Sequence, residues 1–89
     1  MRVVSIKTNA RFEKRYRKLP RSVKESAKEK ERLFREHPFH PSLETHKLNG
    51  KDRAVWAFSV NRKYRIKFIF LMDGHVLFLD IGTHDEVYR

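Results

Sequence analysis

Cysteine is absent from this sequence, which removes disulfides, thiolate nucleophiles and cysteine-ligated zinc from consideration. Glycine and proline occur three times each, and no linker, internal repeat or low-complexity tract is present. No stretch approaches the ~18 consecutive apolar residues of a membrane-spanning helix, so no membrane association is expected. The opening Met1-Arg2-Val3-Val4-Ser5-Ile6-Lys7 is too short and too soon charged for a secretory signal, and a cytoplasmic location is expected. Acidic residues are also scarce, 11 against 21 Lys and Arg.

That imbalance is the main compositional feature. A formal charge of +10 and a pI near 10.3 create a field that attracts polyanions, with RNA or an acidic protein favoured over a membrane surface. With 89 residues the chain reads as one domain over 1–89, of a size expected to bury only about 60 to 65% of its unfolded surface.

Periodicity sets the element order. Val3, Val4 and Ile6 form a β-rich run ending at Thr8 and Asn9, either of which can cap a following helix. Phe12, Tyr16 and Leu19 share a helical face until Pro20 breaks it. A second helix runs from Arg21 or Ser22 to about His37, with Val23, Ala27, Lys30 and Phe34 in one line and Leu33 beside it, and Pro38 ends it. Residues 38–52 read as an exposed, histidine-rich loop. Three strands then follow over 53–60, 64–72 and 76–81, the last two joined at Asp73-Gly74, a tight-hairpin signal. Trp56, Phe58, Phe68 and Phe70 alternate with smaller or polar residues and read as core. The helices should cover this aromatic face and leave the opposite face for a site. The result is an α+β fold of order β-α-α-β-β-β, a helical hairpin on one face of a small, mainly antiparallel four-stranded sheet.

This order resembles the RelE/ParE superfamily of bacterial type II toxins, most closely the RelE, YoeB and YafQ group of ribosome-dependent mRNA interferases. The specific part of the resemblance lies in Thr45-His46-Lys47-Leu48-Asn49-Gly50, in the strand hairpin 56–66, and in Gly82-Thr83-His84-Asp85-Glu86-Val87-Tyr88. It implies a nuclease that uses the RNA's own 2′-hydroxyl as nucleophile, without a metal or other cofactor. Such a reaction needs a base, a cation for the phosphorane and an acid for the departing oxygen. His46 stands where YafQ-like members place a general-base His and YoeB-like members a Glu. Arg65 stands where similar toxins place an arginine on the scissile phosphate, a role suited to a guanidinium fork. His84 stands where they place the leaving-group acid. Tyr88 corresponds to an aromatic that stacks on or orients a base, or else pins the tail to the sheet. Lys47, Lys51, Arg53, Arg62, Lys63 and Lys67 are expected on RNA backbone.

The chain also departs from the YafQ-like pattern, holding Ser59 and Lys63 where those proteins carry a second His and an Asp. Either His46, Arg65 and His84 suffice, or Lys63 and Lys47 supply charge stabilisation. Each assignment has a plain competitor: a solvated loop histidine for His46, an ordinary strand charge for Arg65. His37, His40 and His46 fit no standard metal-ligand spacing. The resemblance further implies an acidic antitoxin and the ribosome with mRNA in its A site as partners. Two other functions fit the same chain: a ParE-like inhibitor of DNA gyrase that cuts nothing, and an inactive basic RNA-binding module. The nuclease reading makes a geometric claim, that His84 faces Arg65 across neighbouring strands with His46 in reach of the same phosphate.

Overall fold

The computed structural model describes residues 2–48 and 54–88. Strand β1 (Ser5–Thr8) leads into α1 (Ala10–Arg17), followed by α2 (Arg21–Glu36), β2 (His46–Lys47), β3 (Val55–Ser59), β4 (Tyr64–Phe70), β5 (His75–Thr83) and α3 (His84–Val87). Asn9 is the cap of α1, its side-chain oxygen accepting from the Phe12 amide at 2.8 Å. Pro20 separates the two long helices and supplies the N-cap position of α2, since a proline there forfeits no helical hydrogen bond.

The sheet has five strands rather than four, in the order β1-β5-β4-β3-β2. The added strand is the two-residue β2, antiparallel to β3, and it comes from the segment expected to be loop. Two residues are too few for a period-2 pattern, so nothing in the sequence marks it. The rest of that segment is also less exposed than expected. Leu43 and Pro38 are fully buried, and a short 3-10 turn spans Pro41–Leu43. Only β1 and β5 run parallel; the other pairs are antiparallel. Asp73 and Gly74 both take positive φ, 56° and 78°, the conformation that an Asp-Gly hairpin turn requires.

The helices cover the aromatic face of the sheet. Phe34 of α2 is fully buried and stacks on Phe58 at 4.6 Å, meets Phe68 edge-on at 4.9 Å and lies 6.0 Å from Phe78. Phe12 of α1 packs on Phe78 at 5.4 Å. Trp56 and Phe70 belong to the same face but reach past the end of α2, where Phe39 covers them in part.

A one-residue irregularity in β5 decides what the opposite face carries. Phe68 pairs with Phe78 but Lys67 pairs with Asp80, leaving Leu79 as the extra residue. Without it Phe78 and Asp80, two apart, would point into the same core. The bulge instead turns Ile81 into the core and Asp80 to the open face.

Among the described residues, no helix is long and apolar enough to cross a membrane.

Candidate functional site

The strand register assembles the open face. Arg65 lies opposite Ser59 on one side and Gly82 on the other. One row further along β4, Lys67 lies opposite Ala57 and Asp80, and Ala57 in turn lies opposite His46. Residues paired across strands share a face, so His46, Lys67 and Asp80 form one row and Arg65 belongs to the next. Short residues at Ala57, Ser59 and Gly82 leave this face low at its centre.

Tyr88 joins the groups on it. Its hydroxyl lies 2.8 Å from His46 Nε2 and close enough to the Arg65 guanidinium to be acted on by it. Its ring packs against His84 with centroids 4.1 Å apart and against His46 at 5.6 Å. His46 Nδ1 lies 2.8 Å from the Glu44 carbonyl oxygen, which can only accept, so Nδ1 carries the proton of the neutral ring. Nε2 is then a bare lone pair, and the Tyr88 hydroxyl donates to it. Burial pushes the Tyr88 phenol above its ordinary 10.0, Arg65 pulls it down by charge and hydrogen bond, and Glu44 pushes it up. The net direction is upward, which keeps the hydroxyl a donor at neutral pH.

Each member is held by its own local structure. Arg65 Nη1 donates to the carbonyls of Asn61 at 2.7 Å, Tyr64 at 3.0 Å and Arg62 at 3.3 Å. Asn61 closes that turn by accepting from the Lys63 and Tyr64 amides. Thr83 and Glu86 form a capping box at the start of α3, and the His84 amide donates to the Lys63 carbonyl at 3.1 Å. The Tyr88 amide donates to the His84 carbonyl at 3.0 Å, so the last turn of helix fixes the tyrosine. His84 Nδ1 lies 3.5 Å from Asp85.

The arrangement changes the expected geometry in two ways. Gly82, not His84, faces Arg65 across the strands; His84 opens α3, because β5 ends at Thr83, and meets the other groups through Tyr88. Tyr88 is therefore the centre of the cluster, and its tail is held by α3. Among the expected backbone contacts, Lys67 shares the face of Arg65, while Arg62 and Lys63 flank it on the β3–β4 turn. Lys47 pairs with Trp56 and so belongs to the opposite face from His46. Lys51 and Arg53 lie outside the described residues. Ser59 donates to the Asn61 carbonyl at 2.8 Å, a tie within the Arg65 turn. No group of three His, Asp or Glu able to hold a metal occurs among the described residues.

Sequence reasoning missed the acidic and basic groups beside the cluster. Asp80 is buried, accepting from Arg15 Nε at 2.9 Å, Arg11 Nε at 3.2 Å and the Ile81 amide at 2.9 Å. With Asn9, Val55, Lys67, Leu79 and Glu86 these residues line a cavity of about 530 Å³. The signal was the break in alternation between Phe78 and Ile81.

No family model matches the chain, and no curated protein matches it. Solved structures do. A YoeB/ParE toxin from Agrobacterium tumefaciens superposes with a TM-score of 0.77 at 13% identity, over 91% of this chain and 99% of that one. YafQ from E. coli strain BL21(DE3) gives 0.77 at 17% identity over the whole of both chains. The archaeal RelE-RelB complex from Pyrococcus horikoshii OT3 gives 0.72 at 16% identity, over 93% of this chain and 96% of that one. At such identities the likeness is one of architecture: the chain has the fold of the RelE, YoeB and YafQ toxins of type II toxin-antitoxin systems.

Proposed function

We propose that the chain is the toxin of a type II toxin-antitoxin system and acts as a ribosome-dependent mRNA endoribonuclease. The observation that carries this reading is the convergence of His46, Arg65 and His84, from three separate segments, on the Tyr88 side chain. In the reaction the substrate 2′-hydroxyl takes the place of the Tyr88 phenol at His46 Nε2, which removes its proton. The 2′-oxygen attacks the phosphorus, forming a 2′,3′-cyclic phosphate as the bond to the 5′-oxygen breaks. Arg65, held by three backbone carbonyls, meets the charge on the phosphorane. His84 in its protonated form, paired with Asp85, gives a proton to the 5′-oxygen. Tyr88, still held by Arg65, keeps the two imidazoles at the spacing of the attacking and leaving oxygens. Arg62, Lys63 and Lys67 take up the flanking backbone, and the ribosomal A site presents the mRNA.

The basic open face also suits an acidic antitoxin that covers it, neutralising the field that draws the toxin to RNA. Solved neighbours include toxin-antitoxin complexes, among them DinJ-YafQ from E. coli.

The test is primer extension on translating mRNA after brief induction of the parent chain and of His84→Gln. Codon-aligned cuts by the parent, reduced at least about a hundredfold in the variant while both still sediment with ribosomes, are the expected result. Intact mRNA together with arrested gyrase complexes would transfer the chain to the ParE-like class.

A further inference from the structure

The nuclease site uses Arg65 and, for flanking backbone, Lys67, and leaves the rest of the cavity beside them without a role. That cavity is walled by α1. Arg11 and Arg15 reach from the helix to the buried Asp80, each through Nε. The Arg11 side chain remains 66% exposed, and among the described residues its Nη groups make no hydrogen bond. Three cations, Arg11, Arg15 and Lys67, face two carboxylates, Asp80 and Glu86, across the space they line. Arg15 is shared between Asp80 through Nε and Glu86 through Nη1 at 3.8 Å, so three cations against two carboxylates leave one positive charge in excess, carried by the half-free Arg11 fork and by Lys67, which lies opposite Asp80 in register.

Three further features point to a polyanion. Lys67 follows Arg65 by two residues on the same strand face, so a chain whose phosphate rests on Arg65 runs over Lys67 into the cavity. Arg11, Lys14, Arg15 and Lys18 recur at i, i+3, i+4 and i+7, a single stripe of α1 that lines a second hollow continuing outward. At Gly82 a Cβ would stand 2.9 Å from both Arg15 Nη2 and Glu86 Oε1, so the glycine gives these two side chains room over the strand between cavity and cluster.

We propose that the open-face cavity is a second phosphate subsite for the RNA substrate, formed by Arg11, Arg15 and Lys67 and extended along α1 by Lys14 and Lys18. It rests on the nuclease reading for the identity of the substrate. Asp80 acts in it as a positioning residue, holding the Arg11 guanidinium by Nε beside that of Arg15 so that the Arg11 Nη donors meet backbone phosphate away from the scissile bond. The site is sequence-blind, since it touches phosphate alone.

The experiment compares the purified full-length parent with the triple variant Arg11→Gln/Lys14→Gln/Lys18→Gln, in which Arg15 is left in place to neutralise the buried Asp80. Binding is measured to a single-stranded RNA of about twelve nucleotides, deoxy at the cut position, and to a trinucleotide spanning only the cluster. The variant should bind the longer RNA on the order of tenfold more weakly. Its dependence of log Kd on log salt should fall by about 0.7 for each phosphate no longer neutralised. Trinucleotide affinity and thermal midpoint should match the parent. Equal affinity of the two proteins for both RNAs overturns the subsite and leaves the nuclease reading standing. Weaker binding of the longer RNA by the variant, in a chain that cuts no mRNA, keeps the subsite and overturns the nuclease reading. An unchanged RNA affinity with weakened binding of poly-glutamate assigns the stripe to an acidic protein and overturns the proposal.

Discussion

At Tyr88 one hydroxyl faces two groups of different character, the Arg65 guanidinium that favours its charged form and His46 Nε2 to which it donates. Replacing it with phenylalanine keeps the packing on His84 and deletes the hydrogen bond to His46 and the polar group beside Arg65. Tyr88→Phe should lower mRNA cleavage by about ten- to a hundredfold, below the full loss of a general acid or base, with an unchanged unfolding midpoint. The phenol also makes a pH prediction. Its folded value lies above the 10.0 of a free tyrosine, so the protonated form is the one the fold favours. The stability this contributes is complete below pH 10 and is lost as pH rises through the folded value. Titration of phenolate absorbance in the ultraviolet, parent minus Tyr88→Phe, should give a midpoint above 10.0; one below it would remove the buried phenol from the site. His46, Arg65 and His84 were legible from motif resemblance, and the structure brings them together. Tyr88 was also singled out, but its place between His46 and His84 was not legible, because that contact joins segments far apart in the sequence.

Short elements carry the site. α3 has four residues, too few to be stable alone, and its capping box does what length would otherwise do. The Thr83 hydroxyl accepts from the Glu86 amide and the Glu86 carboxylate accepts from the Thr83 amide at 2.7 Å. Thr83→Ala removes half of that box, a change of about 1 kcal/mol concentrated on the turn that holds His84 and Tyr88. Cleavage should fall several-fold, and amide exchange in residues 84–88 should speed up while the β4 and β5 amides keep their protection. Exchange that rises equally in both regions would mean that α3 has no independent role. Elements with a helical or two-residue period, or with an Asn cap or an Asp-Gly turn, were readable from the sequence. β2 was not, and neither was the β5 bulge, because both are answers to the partner strand rather than to their own residues.

On the scale of the whole molecule, the aromatic core and the basic open face are the two sides of one sheet. Phe34 of α2 meets Phe58, Phe68 and Phe78 together, and it is wholly buried. Phe34→Ala should cost about 3 to 5 kcal/mol, a large part of the total stability of so small a chain, measured as a lowered denaturant midpoint. A cost under about 1 kcal/mol would mean that α2 is not the cover of the sheet. On the opposite face the charged Arg65 and Lys67 lie among buried Val55, Ala57, Ser59 and Asp80, and there the charges accumulate. Repulsion among them is moderated at Asp80, which ties Arg11 and Arg15 of α1 to β5.

By itself the sequence determined the charge, the helix boundaries, the hairpin strands and the division of the sheet into an aromatic and a polar face. These follow from periodicity and turn chemistry, which act within a few residues. Only the tertiary structure decided that Gly82 rather than His84 faces Arg65, that Asp80 leaves the core, and that Tyr88 joins His46 to His84. Those outcomes depend on strand register, where a one-residue bulge exchanges the two faces, and on hydrogen bonds between segments about forty residues apart. No local pattern contains either.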